Sequence, residues 1–496
     1  MRLLDPIIRN WWRHPLSVFA EDDQRAWKGL TALIASRHIA KAVSDHTDAP
    51  NIGILLPTSG AFPVALAASW MLGRTVVPIN YLLSREEQDY IIGHAGLDLV
   101  LTAGPMLDRF GPLPDGVTPL KLETLNMKRL PPRIKRIRRE DDHVAVILYT
   151  SGTSGRPKGV QLTAGNLAAN VQQCIDWANF TRQDRFIGLL PQFHSFGFTV
   201  TTVLPLVLGC RSVYTARFAV ARVLDLLRTH QPTAFLAIPS MYNALLQSKA
   251  AKADDLKSVR FIVSGGEPLP DAVYEGFYER FGVRICEGYG LTETAPVTNW
   301  TRPEEERRGV VGRALDGVDE IIVDESTGER LGPGHDGEVR IRGANVMKGY
   351  YKDESATKAA FDEDGFFRTG DMGRFSDDGF LSITGRIKEM LIIGGENVFP
   401  REIEEVLVRH PAVLDAAVIG QADPMRGEVP LAFVELVEGG DVDPSELRSF
   451  CNGPLPSFKV PRGVRILEAL PRNPTGKIQR RALSVDVPCI KASNHA

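Results

Sequence analysis

The sequence predicts an α/β protein of several domains that ends in a smaller module of mixed helix and strand. Three observations carry that reading. Residues 51–80, NIGILLPTSGAFPVALAASWMLGRTVVPIN, run from a β-branched stretch through an Ala/Leu-rich segment to a second β-branched stretch. That order is strand, helix, strand, the repeating unit of a parallel layer. The same rhythm returns at 185–190, 233–238 and 260–263, each followed by a helix-like stretch. Beyond residue 334 the text changes to short Gly/Asp-punctuated runs, GEVRIRG and GFFRTGDMGRFSDDGFLSITGR, as in a small antiparallel region. With 496 residues, ~150 per domain gives roughly three domains or subdomains.

After residue 386 a compact module follows, with a helix at 402–410 and strands near 413–419 and 431–436. Its charge is divided: residues 389–447 hold 3 basic and 13 acidic side chains, whereas 448–496 hold 9 basic and 2 acidic, a net of +7. The whole chain carries −3, which argues against a dedicated nucleic-acid binder. Five scattered cysteines form no CxxC pair and read as reduced thiols, in keeping with a cytoplasmic protein. No apolar stretch approaches the ~18 residues that cross a bilayer, so membrane contact is at most peripheral. One stretch stands out electrostatically: KRLPPRIKRIRRE, 128–140, has seven basic residues and reads as a solvated connection or as a foothold on anionic lipid or an acidic partner.

The rest of the chain is organised around YTSGTSGRPKGV, 149–160. It follows the apolar run 144–148, a buried strand entering a loop. Free backbone N–H groups, small hydroxyls and one ammonium suit such a loop to a polyphosphate. It is not a P-loop, because Pro157 stands five places after Gly152, where GxxxxGK[ST] needs a second Gly.

The order of residues in that string resembles the phosphate loop of the acyl-adenylate-forming superfamily, the AMP-dependent synthetases and ligases. Further stretches match in the family's order: LPQFHSFG at 190–197, SGGEPL at 264–269, EGYGLTET at 287–294, TGD at 369–371, GRIKEMLIIGGENVFPREIEE at 385–405 and NPTGKI at 473–478. They span most of the chain. The likeness is nearest to fatty acyl-CoA ligases and acyl-acyl-carrier-protein synthetases.

The resemblance implies a large N-terminal domain, 1–385, of two α/β subdomains plus a small antiparallel region. A small mobile α+β domain, 386–496, would follow a hinge near Lys388. It implies that Thr150, Ser151, Gly152, Thr153, Ser154, Gly155 and Lys158 hold the ATP phosphates. Gly266, Glu267 and Pro268 would wall one face of the adenine, with Tyr289 between Gly288 and Gly290 stacking on the other. Thr292 would bond the α-phosphate, and Glu293 with Thr150 would hold Mg²⁺, a hard cation that asks for oxygen ligands. Asp371 and Arg386 belong at the ribose. Lys477 is the implied catalytic lysine, with Thr150, Glu293 and His194 beside it; His194 would stand next to the carboxylate pocket. Gly394 and Gly395 would line the pantetheine tunnel. The implied chemistry is ATP-dependent activation of a medium- or long-chain fatty acid to acyl-AMP, then transfer to the thiol of CoA. Transfer to the phosphopantetheine of an acyl carrier protein, or use of an aryl acid, is the alternative. Presence of Thr150, Glu293, Asp371 and Lys477 together argues against a non-catalytic nucleotide sensor.

Overall fold

The computed structural model describes residues 3–150, 156–472, 478–484 and 486–494. Among them the chain forms two large, mostly parallel sheets, one antiparallel sheet and one C-terminal mixed sheet. The first sheet runs, edge to edge, Gly349–Tyr350, Lys158–Thr163, Val144–Thr150, Thr75–Pro78, Asn51–Leu55, Leu99–Thr102 and Thr118–Lys121. From Val144–Thr150 onward its neighbours are parallel, while Lys158–Thr163 folds back antiparallel on Val144–Thr150. The expected strand–helix–strand unit is present as Asn51–Leu55, Ala61–Met71 and Thr75–Pro78.

Helix Ala61–Met71 has no polar face, and all but its first residue are buried. A helix that is apolar all round belongs in the middle of a core. Trp70 there donates its indole N–H to the Ala145 carbonyl at 3.0 Å, fixing the helix to strand Val144–Thr150. The largest apolar cluster joins this helix with side chains from both large sheets.

The second large sheet contains the parallel strands Arg185–Gly188, Ala234–Ala237, Phe261–Ser264 and Cys286–Gly290. Arg185–Gly188 is flanked by Arg211–Tyr214 on one side and Ala234–Ala237 on the other. The chain therefore leaves this strand in both directions. Such a switch point opens a crevice beyond the carboxyl ends of the strands, where ligands of open α/β sheets bind. The loops that follow these strands are PQFHS, GGEPL and LTE.

The antiparallel region begins earlier than its composition suggested. Val318–Val323 already belongs to it, pairing with Gly337–Gly343, which pairs in turn with Phe367–Phe375 and Leu381–Arg386. VDEIIV hides this because two acidic residues interrupt its apolar alternation. The C-terminal sheet packs helices Pro400–Val408 and Pro444–Cys451 into a separate apolar cluster. Arg472 and Ile478 form an isolated antiparallel bridge. Four of the five free cysteines are buried and Cys489 is half-buried. Among the described residues no helix is long and apolar enough to cross a membrane.

Candidate active site

Asp371 and Arg386 face each other across the pairing of Phe367–Phe375 with Leu381–Arg386. The Arg386 Nε meets Asp371 Oδ1 at 2.8 Å, and the carboxylate is 4% exposed while the guanidinium is half-exposed. Tyr289 donates its hydroxyl to Asp371 Oδ2 at 2.7 Å. Burial, and then the neighbouring Asp371 charge, hold the phenol well above its usual pKa, so it remains a donor. Asp371 pushes the Arg386 pKa up in turn. An acceptor, a donor and a ring are thus locked together at the end of strand Cys286–Gly290.

Glu293 lies four residues beyond Tyr289, in the turn Thr292–Thr294. Burial raises its pKa, and the Tyr350 hydroxyl works against that rise by donating to Glu293 Oε1 at 2.9 Å. The Lys158 Nζ stands 5.1 Å from the centre of the same Tyr350 ring. One aromatic side chain therefore holds the carboxylate by its hydroxyl and faces the Lys158 ammonium with its ring. Tyr350 is placed by main-chain pairing with Val160 and by the Thr357 hydroxyl, which accepts its N–H at 2.8 Å. A capping exchange between Thr163 and Asn166 starts helix Ala164–Trp177, and Asn166 reaches on to the carbonyls of Ala344 and Val346, steadying the segment before Tyr350. Sequence reasoning missed Tyr350. Its only signal was an aromatic after Gly349, as common in a core as in a site.

Thr292 donates to the Ser195 hydroxyl at 3.2 Å, joining the LTE turn to the loop that carries His194. His194 is exposed while Phe193 and Phe196 on either side are buried, so the histidine is not packed into the core as a lone His in an apolar string usually is. It occupies the N-cap of the short helix Ser195–Phe198 without capping it. Thr150 ends its strand directly opposite Lys158. Beside them, Tyr149 shares a 2.8 Å hydrogen bond with His94, and Arg156 lies over the Tyr90 ring. Ser151, Gly152, Thr153, Ser154, Gly155 and Lys477 lie outside the described residues. Lys477 directly precedes Ile478, which pairs with Arg472.

Gly266, Glu267 and Pro268 follow strand Phe261–Ser264, and Gly266 has φ +86, which glycine alone adopts without strain. The glycines at 288 and 290 have a cause inside the protein itself. A Cβ at Gly288 would meet Trp300 at 2.2 Å, and one at Gly290 would meet the Pro296 carbonyl at 2.1 Å. Gly394 and Gly395 form an exposed two-residue hairpin turn, both with positive φ, between Leu391–Ile393 and Glu396–Val398.

Lys388 follows Arg386 in a short turn. Burial, with the positive charges of Lys158, Arg386 and Arg481 nearby, lowers its pKa. Positive charge from strand Lys158–Thr163, from strand Leu381–Arg386 and from Arg481 in the C-terminal segment converges here. A second contact crosses from large to small domain: Asp271 accepts from Arg409 at 2.9 Å and also pairs with Arg308, which reaches the buried Glu287.

The residue types suit Mg²⁺: Glu293 brings a half-buried carboxylate and Thr150 a hydroxyl, hard oxygen donors that leave further positions for phosphates and water. Among the described residues no group of three His, Cys, Asp or Glu could hold a metal without such partners.

Comparison with known proteins agrees with this geometry. A family model described as AMP-binding enzyme matches residues 33–351, and one described as AMP-binding enzyme C-terminal domain matches residues 402–477. A long-chain-fatty-acid–CoA ligase of Bacillus subtilis is 36% identical over 71% of this chain, which spans 63% of that relative's length. A 2-succinylbenzoate–CoA ligase of Bacillus licheniformis is 36% identical over 87% of this chain and 88% of its own. Among solved structures, the o-succinylbenzoate-CoA synthetase of Bacillus subtilis in complex with ATP and magnesium superposes with a TM-score of 0.87 at 30% identity, covering 96% of this chain and 98% of that one.

Proposed function

This chain belongs to the AMP-binding enzyme family, and from that premise we propose that it joins a carboxylic acid to ATP, giving an acyl-AMP and pyrophosphate, and then passes the acyl group to the thiol of CoA. The observation that carries the reading is the Tyr289–Asp371–Arg386 constellation beside Glu293 and Lys158. A carboxylate resists attack because its charge repels nucleophiles and its oxygen leaves poorly. Adenylation removes both obstacles. An acid oxygen bonds to the α-phosphorus, the bond to the β-phosphate oxygen breaks, and pyrophosphate carries the charge away.

For that step the protein positions groups and offsets charge. Asp371 accepts the ribose hydroxyls and Arg386 braces it. Tyr289 offers its ring to the adenine between the Gly266–Pro268 turn and its own strand. Thr150, Lys158 and Thr292 donate to phosphate oxygens, and Lys477 bridges the carboxylate and the α-phosphate. Bound through Glu293 and Thr150, Mg²⁺ supplies further charge neutralisation. His194 is exposed at the loop where the acid would enter. Residues 1–385 act as the large domain and 386–496 as the mobile one, turning about Lys388. The turn exchanges Lys477 for the Gly394–Gly395 hairpin, beside which the pantetheine thiol attacks the acyl carbon and releases AMP.

We read the acid as a medium- or long-chain fatty acid, supported by the long-chain-fatty-acid–CoA ligase relative. An aryl acid is the second reading, favoured by the more extensive match to the 2-succinylbenzoate–CoA ligase. The test is pyrophosphate release over a panel of fatty and aryl acids, each alone, with CoA and with a phosphopantetheinylated carrier protein. Multiple turnover with CoA and a fatty acid supports the first reading, and turnover with aryl acids alone the second. Turnover that needs the carrier protein would replace CoA as the acceptor, and no release with any acid would overturn the proposal.

A further inference from the structure

We propose that the outer face of helices Leu4–Arg13 and Gly29–His46, together with the connection 128–139 laid across them, docks on an anionic phospholipid surface. The connection has no helix or strand, yet it is tied down along its length. His38 Nε2 donates to the Arg129 carbonyl at 3.1 Å, and Arg136 pairs with Asp5 at 2.6 Å. The Ile137 N–H then bonds the Met71 carbonyl, and Arg139 Nε that of Gly73. A stretch of seven cations and no carboxylate is thereby fastened to the first two helices and to the end of helix Ala61–Met71.

The helices extend that face. Asp5, Arg9 and Trp12 stand at i, i+4 and i+7, so Trp12 shares the side on which Asp5 meets the connection. The Leu30 N–H bonds the Pro15 carbonyl and brings Leu16 beside the start of the second helix. Arg37 and Lys41 continue Leu30's exposed stripe. The carboxylates on this face are Asp5, paired with Arg136, and Asp45, paired with Lys41; Glu140, Asp141 and Asp142 lie at the end of the connection. A chain of net charge −3 thus concentrates positive charge on one side.

Among these cations three large apolar side chains point into solvent: Trp12 at 72% exposure, Leu16 at 74% and Leu130 at 93%. Charge alone would suit any polyanion. Cations alternating with an indole and leucines suit a headgroup layer, where the charges meet phosphates and the apolar groups enter the acyl boundary. Nucleic acid offers nothing comparable to the leucines, and an acidic protein would need a matching apolar pocket for each of the three side chains. The inference rests on this face and not on the reaction proposed above.

The full chain is sedimented with phosphatidylglycerol–phosphatidylcholine vesicles and with pure phosphatidylcholine vesicles. Binding is expected to the former and to weaken as salt is added. The double variant R133Q/K135Q loses about 25-fold in vesicle affinity, at roughly fivefold per cation. L130S and W12S each weaken binding with pyrophosphate release from a water-soluble acid unchanged, while K249Q/K257Q on another surface leaves binding unaltered. The proposal is overturned if the chain ignores anionic vesicles at low salt, binds both vesicle types alike, or binds undiminished after R133Q/K135Q. Undiminished binding after both L130S and W12S, or capture of nucleic acid or an acidic protein without vesicle binding, overturns it equally.

Discussion

Replacing Tyr350 with Phe removes one hydroxyl and leaves the ring that Lys158 faces, so the substitution isolates the hydrogen bond to Glu293 at 2.9 Å. Glu293 is already pushed up by burial, and the Tyr350 donor is among the groups that hold it down. A hydrogen bond to a charged acceptor contributes about 1.5–3 kcal/mol. At 1.36 kcal/mol per pKa unit, its loss raises the Glu293 pKa by about one to two units. A higher carboxyl pKa means that more of the enzyme is protonated, and unable to hold a cation, on the acid side. The pH–rate profile of pyrophosphate release at saturating ATP and acid should therefore keep its alkaline plateau. Its acid limb should move upward by about one to two units. Within the shifted window the apparent Mg²⁺ affinity falls, and added Mg²⁺ restores the rate. A Y350F enzyme slowed equally at every pH, or one whose acid limb has not moved, would refute the assignment of Tyr350 as the residue that positions Glu293.

Asp371→Asn should weaken AMP binding by about 2–3 kcal/mol, near a hundredfold, because the charged acceptor for the ribose and for Tyr289 is lost; calorimetric titration with AMP checks it. Glu320, beside Asn299, has its pKa pushed up to about 8 by burial, so the folded state binds a proton that the unfolded state releases above its ordinary value of 4.5. Its contribution is present below that value and is lost as pH rises toward 8. The melting temperature of Glu320→Gln relative to the parent should therefore climb across this window and level off above it. Arg409→Gln breaks a half-exposed pair with Asp271 that joins the two domains. Such a pair contributes under ~1 kcal/mol, so acid-dependent pyrophosphate release should fall up to about fivefold. Thiolysis of supplied acyl-AMP should hold its rate.

The parallel layers were legible because burial on both faces forces continuous β-branched runs, as at Asn51–Leu55 and Phe261–Ser264. Val318–Val323 was not, because Asp319 on its wet face is followed by Glu320, which is held beside Asn299 on the other face, and the two acidic residues together erase the alternation. The site's motifs were legible as strings, and the structure brings Tyr289, Asp371 and Arg386 together although 82 residues separate the first two. Their hydrogen bonding was not readable, since it depends on two different sheets meeting. Tyr350 escaped because its partner Glu293 lies 57 residues away and neither is unusual alone. Gly288 and Gly290 flank the ring expected at the adenine, yet Trp300 and Pro296 by themselves exclude a side chain there. Composition can mark a glycine as needed but cannot say which neighbour requires it.

The most direct measurement is exchange of labelled pyrophosphate into ATP, with Mg²⁺ present and CoA absent. Formation of an acyl-AMP is reversible, so label should enter ATP only when an accepted acid is added, and at ATP well below saturation exchange should fall about a hundredfold in Asp371→Asn. Exchange that proceeds without any acid, or none with every acid while the folded chain binds AMP, would contradict the adenylation chemistry at the centre of this account.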